Sequence, residues 1–84
     1  MQLMWDEPKR KLTLETRGMD FAALDLDFFL GAMVVPAKAG RFMAIGEFDG
    51  AVISVVFQQV GSEAISIVSM RRASRKERRL YDGP

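Results

Sequence analysis

The pair Asp49-Gly50 limits the fold more than any other feature of this chain. It lies between two β-forming runs: Arg41 to Phe48 alternates in polarity, and Ala51 to Phe57 is rich in β-branched residues. Asp-Gly in that setting specifies a tight hairpin, because both central residues of a type I′ turn need positive φ. The chain must therefore hold an antiparallel pair, with 51–57 as a central strand. A third run, Ala64 to Met70, sets Ile65, Ile67 and Met70 around Ser66 and Ser69, the pattern of a half-buried strand. The polar stretch Gln58 to Glu63 is the loop before it. Met33 to Val35 reads as a short strand stopped by Pro36, residues 37–40 as a turn, and Gln2 to Trp5 as a further short strand.

Helix signals flank these strands. Asp6 can cap a helix with Pro8 in its first turn, running to about Arg17 and stopping at Gly18. Asp20 can cap a second, from Phe21 to about Leu30, with Phe21, Leu24 and Phe28 at helical spacing. Ser74 followed three residues later by Glu77 fits a capping box, so a third helix should begin near Arg75. The expected class is α+β: a compact antiparallel sheet with two N-terminal helices and one C-terminal basic helix.

Composition removes several kinds of chemistry. With 84 residues, 49% of them hydrophobic, the chain is expected to form one domain with a small core. It has no cysteine, hence no disulfide framework or thiolate nucleophile, and no histidine, the usual general base and commonest metal ligand. Asp25 and Asp27, two apart on a helix, point away from each other and form no metal pincer. No metal and no cofactor are expected. The N-terminus lacks a signal-peptide pattern and no apolar run is long enough to span a bilayer, so a cytoplasmic protein without a membrane partner is expected.

Charge is unevenly placed. Residues 1–70 carry six basic and nine acidic side chains, a balance of −3, whereas residues 71–84 carry six basic and two acidic, a balance of +4. A basic end on an acidic body points to a local polyanion partner. Arg71 and Arg72 fall at the expected strand-to-helix junction, where a strand and a capped helix would fix their guanidinium groups for phosphate recognition. Lys9, Arg10 and Lys11 cluster in the first half of the first helix, the wrong end for its dipole. Each basic group is either a solvated face or a phosphate contact. Trp5 and the Phe stripe read as core rather than as base-stacking surfaces.

Trp5-Asp6 with Lys9, then Gly18 and Phe21, then Arg41 with Ile45-Gly46, and finally the run Ser69-Met70-Arg71-Arg72-Ala73-Ser74-Arg75-Lys76-Glu77-Arg78 resemble the BrnT family. These are ribonuclease toxins of bacterial type II toxin–antitoxin systems. The resemblance covers almost the whole chain, so residues 1–84 read as a single toxin domain. It implies a RelE-like fold, RNA cleavage by an endoribonuclease and growth arrest. It also implies a BrnA-like antitoxin with a ribbon-helix-helix portion, a complex of two toxins and two antitoxins that represses its own operon, and operator DNA contacted through that partner. The sequence departs from the family pattern at Thr13 and Thr16-Arg17, where many relatives carry an Asn and a Lys-His pair, and near Ser66, where many carry an arginine.

Metal-free RNA cleavage needs in-line alignment of the 2′-oxygen, stabilisation of charge on phosphorus, and two proton transfers. Arg71 and Arg72 suit the second need, and positioning accounts for much of the rate in such an enzyme. The catalytic set read here is Arg71, Arg72, Lys9 and Glu77, with Arg41, Arg75, Arg78 and Lys11 as phosphate-binding residues. Proton carriers stay open among Lys9, Glu47, Glu77 and Tyr81; for Glu77 the competing role is completion of the capping box. Arg41 serves either a phosphate or the antitoxin. Two other classes stay open: a non-catalytic nucleic-acid-binding or co-repressor module acting through its antitoxin, and an interaction domain whose basic helix binds an acidic peptide.

Overall fold

A computed structural model describes residues 1–83. The hairpin expected at Asp49-Gly50 is present. Asp49 has φ 51° and Gly50 φ 79°, joining β3 (Phe42–Phe48) to β4 (Ala51–Val60). A turn over 61–63 joins β4 to β5 (Ala64–Arg72), so the expected loop from Gln58 is mostly strand. β2 (Met33–Pro36) lies beyond β3 as an edge strand, and Pro36 is tolerated there because an edge need not donate on both sides. Met33 and Val34 are exposed on that edge.

The sheet order is β1-β5-β4-β3-β2, with β1 spanning Gln2–Trp5. The expectation of an antiparallel sheet needs correction, because β1 runs parallel to β5, pairing Leu3 with Ile65 and Trp5 with Ile67. A parallel partner must be reached through a long connection. Local alternation in β1 carries no information about which distant strand it joins.

A second correction concerns the second helix. The helix α1 (Glu7–Arg17) forms as expected: the Asp6 side chain accepts from the Lys9 amide, Pro8 sits in the first turn, and Gly18 closes the end at φ 68°. The stretch after Asp20 is not one helix. Phe21–Ala23 forms a 3-10 turn, the chain extends through Asp25, and α2 (Leu26–Gly31) starts afresh with the Asp25 side chain accepting from the Phe28 amide. A short acidic side chain that can cap competes with helix continuation at its own position. The helical spacing still succeeds as a burial pattern, since Phe21, Leu24 and Phe28 are all buried.

One face of the sheet carries most of the core. Ala44, Ile53, Val55, Ile67 and Met70 pack against Phe21, Leu24 and Phe28. Ile65, Ile67 and Met70 share this face although strict alternation would place Met70 opposite the two isoleucines. A bulge resolves the conflict: Val56 pairs with Ser69 and Phe57 with Ile67, which leaves Val68 as the extra residue. Gly46 lets α2 approach β3 closely. A Cβ there would stand 3.1 Å from both Ala32 Cβ and Phe28 Cε1. Gly46→Ala should therefore destabilise the protein by about 1–3 kcal/mol through overpacking, read as a lower urea midpoint with an unchanged m-value.

Candidate nucleic-acid site at the end of the central strands

α3 (Arg75–Asp82) follows β5 after a two-residue link and lies over the other face of the sheet. The arginine pair sits on the strand side of the strand-to-helix junction, as the last two residues of β5. Both residues belong to β5, with Arg71 opposite Ser54 and Arg72 opposite Ile53. Successive strand residues point to opposite faces, so the two side chains part company. Arg72 is exposed on the face of Met70, while Arg71 turns toward α3.

Arg71 is held there by Glu77. Its Nη1 donates to Glu77 Oε1 at 2.7 Å and its Nη2 to Oε2 at 2.8 Å, a bidentate pair. Oε1 also accepts from the Ser54 hydroxyl at 2.8 Å and from the Ser74 amide at 2.8 Å. Ser74 Oγ in turn accepts from the Glu77 amide, completing the capping box. Glu77 thus ties α3, β4 and β5 together. The Arg71 guanidinium, followed by the Ser74 and Ser54 donors, holds the Glu77 carboxyl down at about 2, well below the usual range. Glu77 correspondingly pushes the Arg71 guanidinium further up. Ser54 is fully buried and is a participant that the sequence reading missed. Its signal is a lone polar residue inside the apolar run Val52-Ile53-Ser54-Val55-Val56.

A second polar network anchors the N-terminal elements. The half-buried Trp5 donates its indole N–H to Glu7 Oε1 at 2.8 Å, and Arg10 bridges Glu7 and Asp20. Arg10, Trp5 and neighbouring charges hold Glu7 at about 2, and the Ala22 amide with Arg10 lowers Asp20. Arg10 therefore has a structural partner despite its place in the helix. Lys9 and Lys11 are exposed on α1.

Two depressions meet at Arg72. One is a cavity of about 310 Å³ with Phe48, Ile53 and Met70 in its lining, together with Arg17, Asp49 and Arg72. The other, of about 490 Å³, is lined by Arg72, Arg78 and Asp82 with the β4 start. Arg17 donates to the Met70 carbonyl at 3.0 Å, so it is positioned beside Arg72. Arg75 is exposed on α3. Arg41 stands elsewhere: it precedes Phe42 at the far end of β3, four residues along from Ile45, which pairs with Ser54. Strand rise and spacing put it about 16 Å from Arg71 at the backbone. Glu47 is exposed on β3 and Tyr81 half-buried on α3. Among the described residues no group of three or more His, Cys, Asp or Glu is placed to hold a metal ion. No helix among them is long and apolar enough to cross a membrane.

A small mixed sheet with a basic strand end and a capped basic helix beside it defines a class of small α+β proteins with cations concentrated at one end of the sheet. The family comparison narrows this class. The family described as "Ribonuclease toxin, BrnT, of type II toxin-antitoxin system" matches residues 5–77, and the chain belongs to that family. It is similar to the Brucella abortus ribonuclease toxin BrnT, whose crystal structure at 1.1 Å resolution superposes with a TM-score of 0.82. The two are 55% identical over 89% of this chain and 99% of that one. No curated protein matches. Family membership implies an antitoxin partner.

The Glu77 array makes a pH-dependent contribution to stability. A carboxylate with a depressed folded-state pKa stabilises above its unfolded value, near 4.5, and loses that contribution as pH falls toward about 2. Glu77→Gln should cost about 1–3 kcal/mol at neutral pH. Its stability gap from the wild type should close between about pH 4.5 and 2 in urea unfolding followed across pH.

Proposed function

We propose that this chain is a RelE-like, metal-independent endoribonuclease toxin, with residues 1–84 acting as one toxin domain in the cytoplasm. RNA cleavage would inhibit translation and growth. A BrnA-like antitoxin with a ribbon-helix-helix portion would neutralise it, in a complex of two toxins and two antitoxins that represses their operon. Operator DNA would be contacted through the antitoxin.

The observation that carries the RNA reading is Arg72. It is exposed at the end of a paired strand and lines both cavities at once. The ion pairs of the described residues use Arg10 and Arg71 as their cations, which leaves Arg72 available for a phosphate. Arg78 lines the second cavity beside it and supplies a neighbouring phosphate contact. Arg75 and the α1 lysines Lys9 and Lys11 would receive flanking phosphates. Arg41, at its distance, fits a different phosphate of an extended strand or the antitoxin.

In the proposed reaction the 2′-oxygen attacks phosphorus and the P–O5′ bond breaks. The products are a 2′,3′-cyclic phosphate and a 5′-hydroxyl. The 2′-hydroxyl proton leaves to a base, and a proton reaches the departing 5′-oxygen. Arg72 stabilises the charge on the phosphoryl oxygens as it develops. Arg71 contributes from the opposite face, through the strand end that it and Glu77 hold rigid. Glu77, depressed and held by four donors, is suited to positioning rather than to accepting a proton. Lys9, Glu47 and Tyr81 are then the candidates for proton transfer.

Cleavage of total RNA in the presence of EDTA tests this. Arg72→Ala should lower the rate about 10²–10³-fold and change stability by less than about 0.5 kcal/mol. Arg71→Ala behaves differently from what its sequence position suggests. It strips Glu77 of two donors and should destabilise by about 1–3 kcal/mol as well as slow cleavage. Intact RNA with folded wild-type protein would favour a non-catalytic module acting through its antitoxin.

A further inference from the structure

The cavity between the β3–β4 hairpin, the turn after α1 and the end of β5 has a chemistry that phosphate binding does not use. The half-buried Phe48 supplies an apolar wall, over a floor formed by the almost wholly buried Ile53 and Met70. Its volume of about 310 Å³ suits a small planar ligand. Four residues with charged side chains line it: Arg17, Asp20, Asp49 and Arg72. Two are engaged. Arg17 donates to the Met70 carbonyl, and Asp20 accepts from Arg10 and from the Ala22 amide. The ion pairs of the described residues involve Glu7, Asp20 and Glu77 as their carboxylates, so Asp49 stands outside them, as Arg72 does.

An ionised carboxylate only accepts hydrogen bonds, and its two oxygens match two adjacent donors. Among RNA bases, guanine alone presents such a pair on its Watson–Crick edge, N1–H beside the N2 amino group. Adenine and cytosine place an acceptor next to their amino donor, and uracil has one donor between two carbonyls. Single-stranded RNA is read in this way, by splayed bases held against apolar or aromatic side chains and bonded along an edge. Arg72 lines both this cavity and the adjoining one that holds Arg78. A base in the first cavity would therefore have its phosphate beside a cation.

We propose that this cavity is a guanine subsite, with the Asp49 carboxylate accepting N1–H and the N2 amino group while Arg72 holds the attached phosphate. The assignment deepens the ribonuclease reading and rests on it for the identity of the polymer. Asp49 would then serve twice, as a turn residue and as the reader of a base.

The test titrates each of the four nucleoside 5′-monophosphates into the intact protein and follows backbone amides of Met19, Phe48, Asp49, Gly50 and Met70 by NMR. Guanosine monophosphate should shift these amides at concentrations about tenfold lower than the other three. Asp49→Asn keeps a residue that tolerates positive φ but puts a donor where an acceptor is needed. It should abolish that preference while its melting curve stays close to the wild type. Equal response to all four nucleotides, a preference surviving in Asp49→Asn, or no movement of these amides would overturn the subsite. Mapping of cleavage ends on one RNA separates the two readings. Ends that ignore guanine sink the subsite and leave the ribonuclease standing. Guanine-selective binding without strand breaks upholds the subsite and moves the chain to a non-catalytic binder.

Discussion

The Glu77 carboxylate is the group on which the functional end of this molecule depends. Its two oxygens take four hydrogen bonds, from Arg71 twice, from Ser54 and from the Ser74 amide. These donors come from β5, β4 and the cap of α3, so one anion sets the docking of the helix on the sheet. The Ser54 side chain is buried, where an unpaired hydroxyl or carboxylate would be expensive. Full satisfaction of the array is what makes it tolerable. Rigidity follows from the same fact, because no member can rotate away without orphaning another.

The bulge at Val68 decides which arginine does what. Without it, the apolar residues of β5 could not all reach the main core, and Arg71 would change places with Arg72. With it, Ile65, Ile67 and Met70 are buried together. Arg72 then follows Met70 to the cavity side, and Arg71 meets Glu77. Core packing and charge placement are thus settled by one irregularity. The two arginines are adjacent in sequence and divided in space, so a single phosphate cannot be clamped by both in the way that their spacing suggests.

Much of the local architecture was legible because its causes are local. Asp6, Ser74 and Gly18 cap where their neighbours predict, and Asp49-Gly50 turns where the flanking runs require it. The helix from Phe21 to Leu30 was misjudged because spacing alone cannot tell a continuous helix from two short pieces that bury the same face. Asp25 breaks it with a cap of its own. Site residues fared unevenly. The basic tail was visible as a charge asymmetry, and the family resemblance on those residues was matched by the comparisons. Ser54 and the cavity at Asp49 were not visible, since a serine in a strand and an aspartate in a turn each have an ordinary explanation.

By itself the sequence determined most of the elements, the caps of α1 and α3, the β3–β4 hairpin and the pool of cations. These follow from dihedral preference, alternation and hydrogen bonds within a few residues of each other. Only the tertiary structure decided that β1 lies parallel beside β5, that Arg41 stands far from Arg71, and that Arg71, and not Arg72, is ion-paired among the described residues. Those outcomes depend on which surfaces meet when the sheet closes over its core. That choice is made by packing and register between distant segments, which no short window of residues encodes.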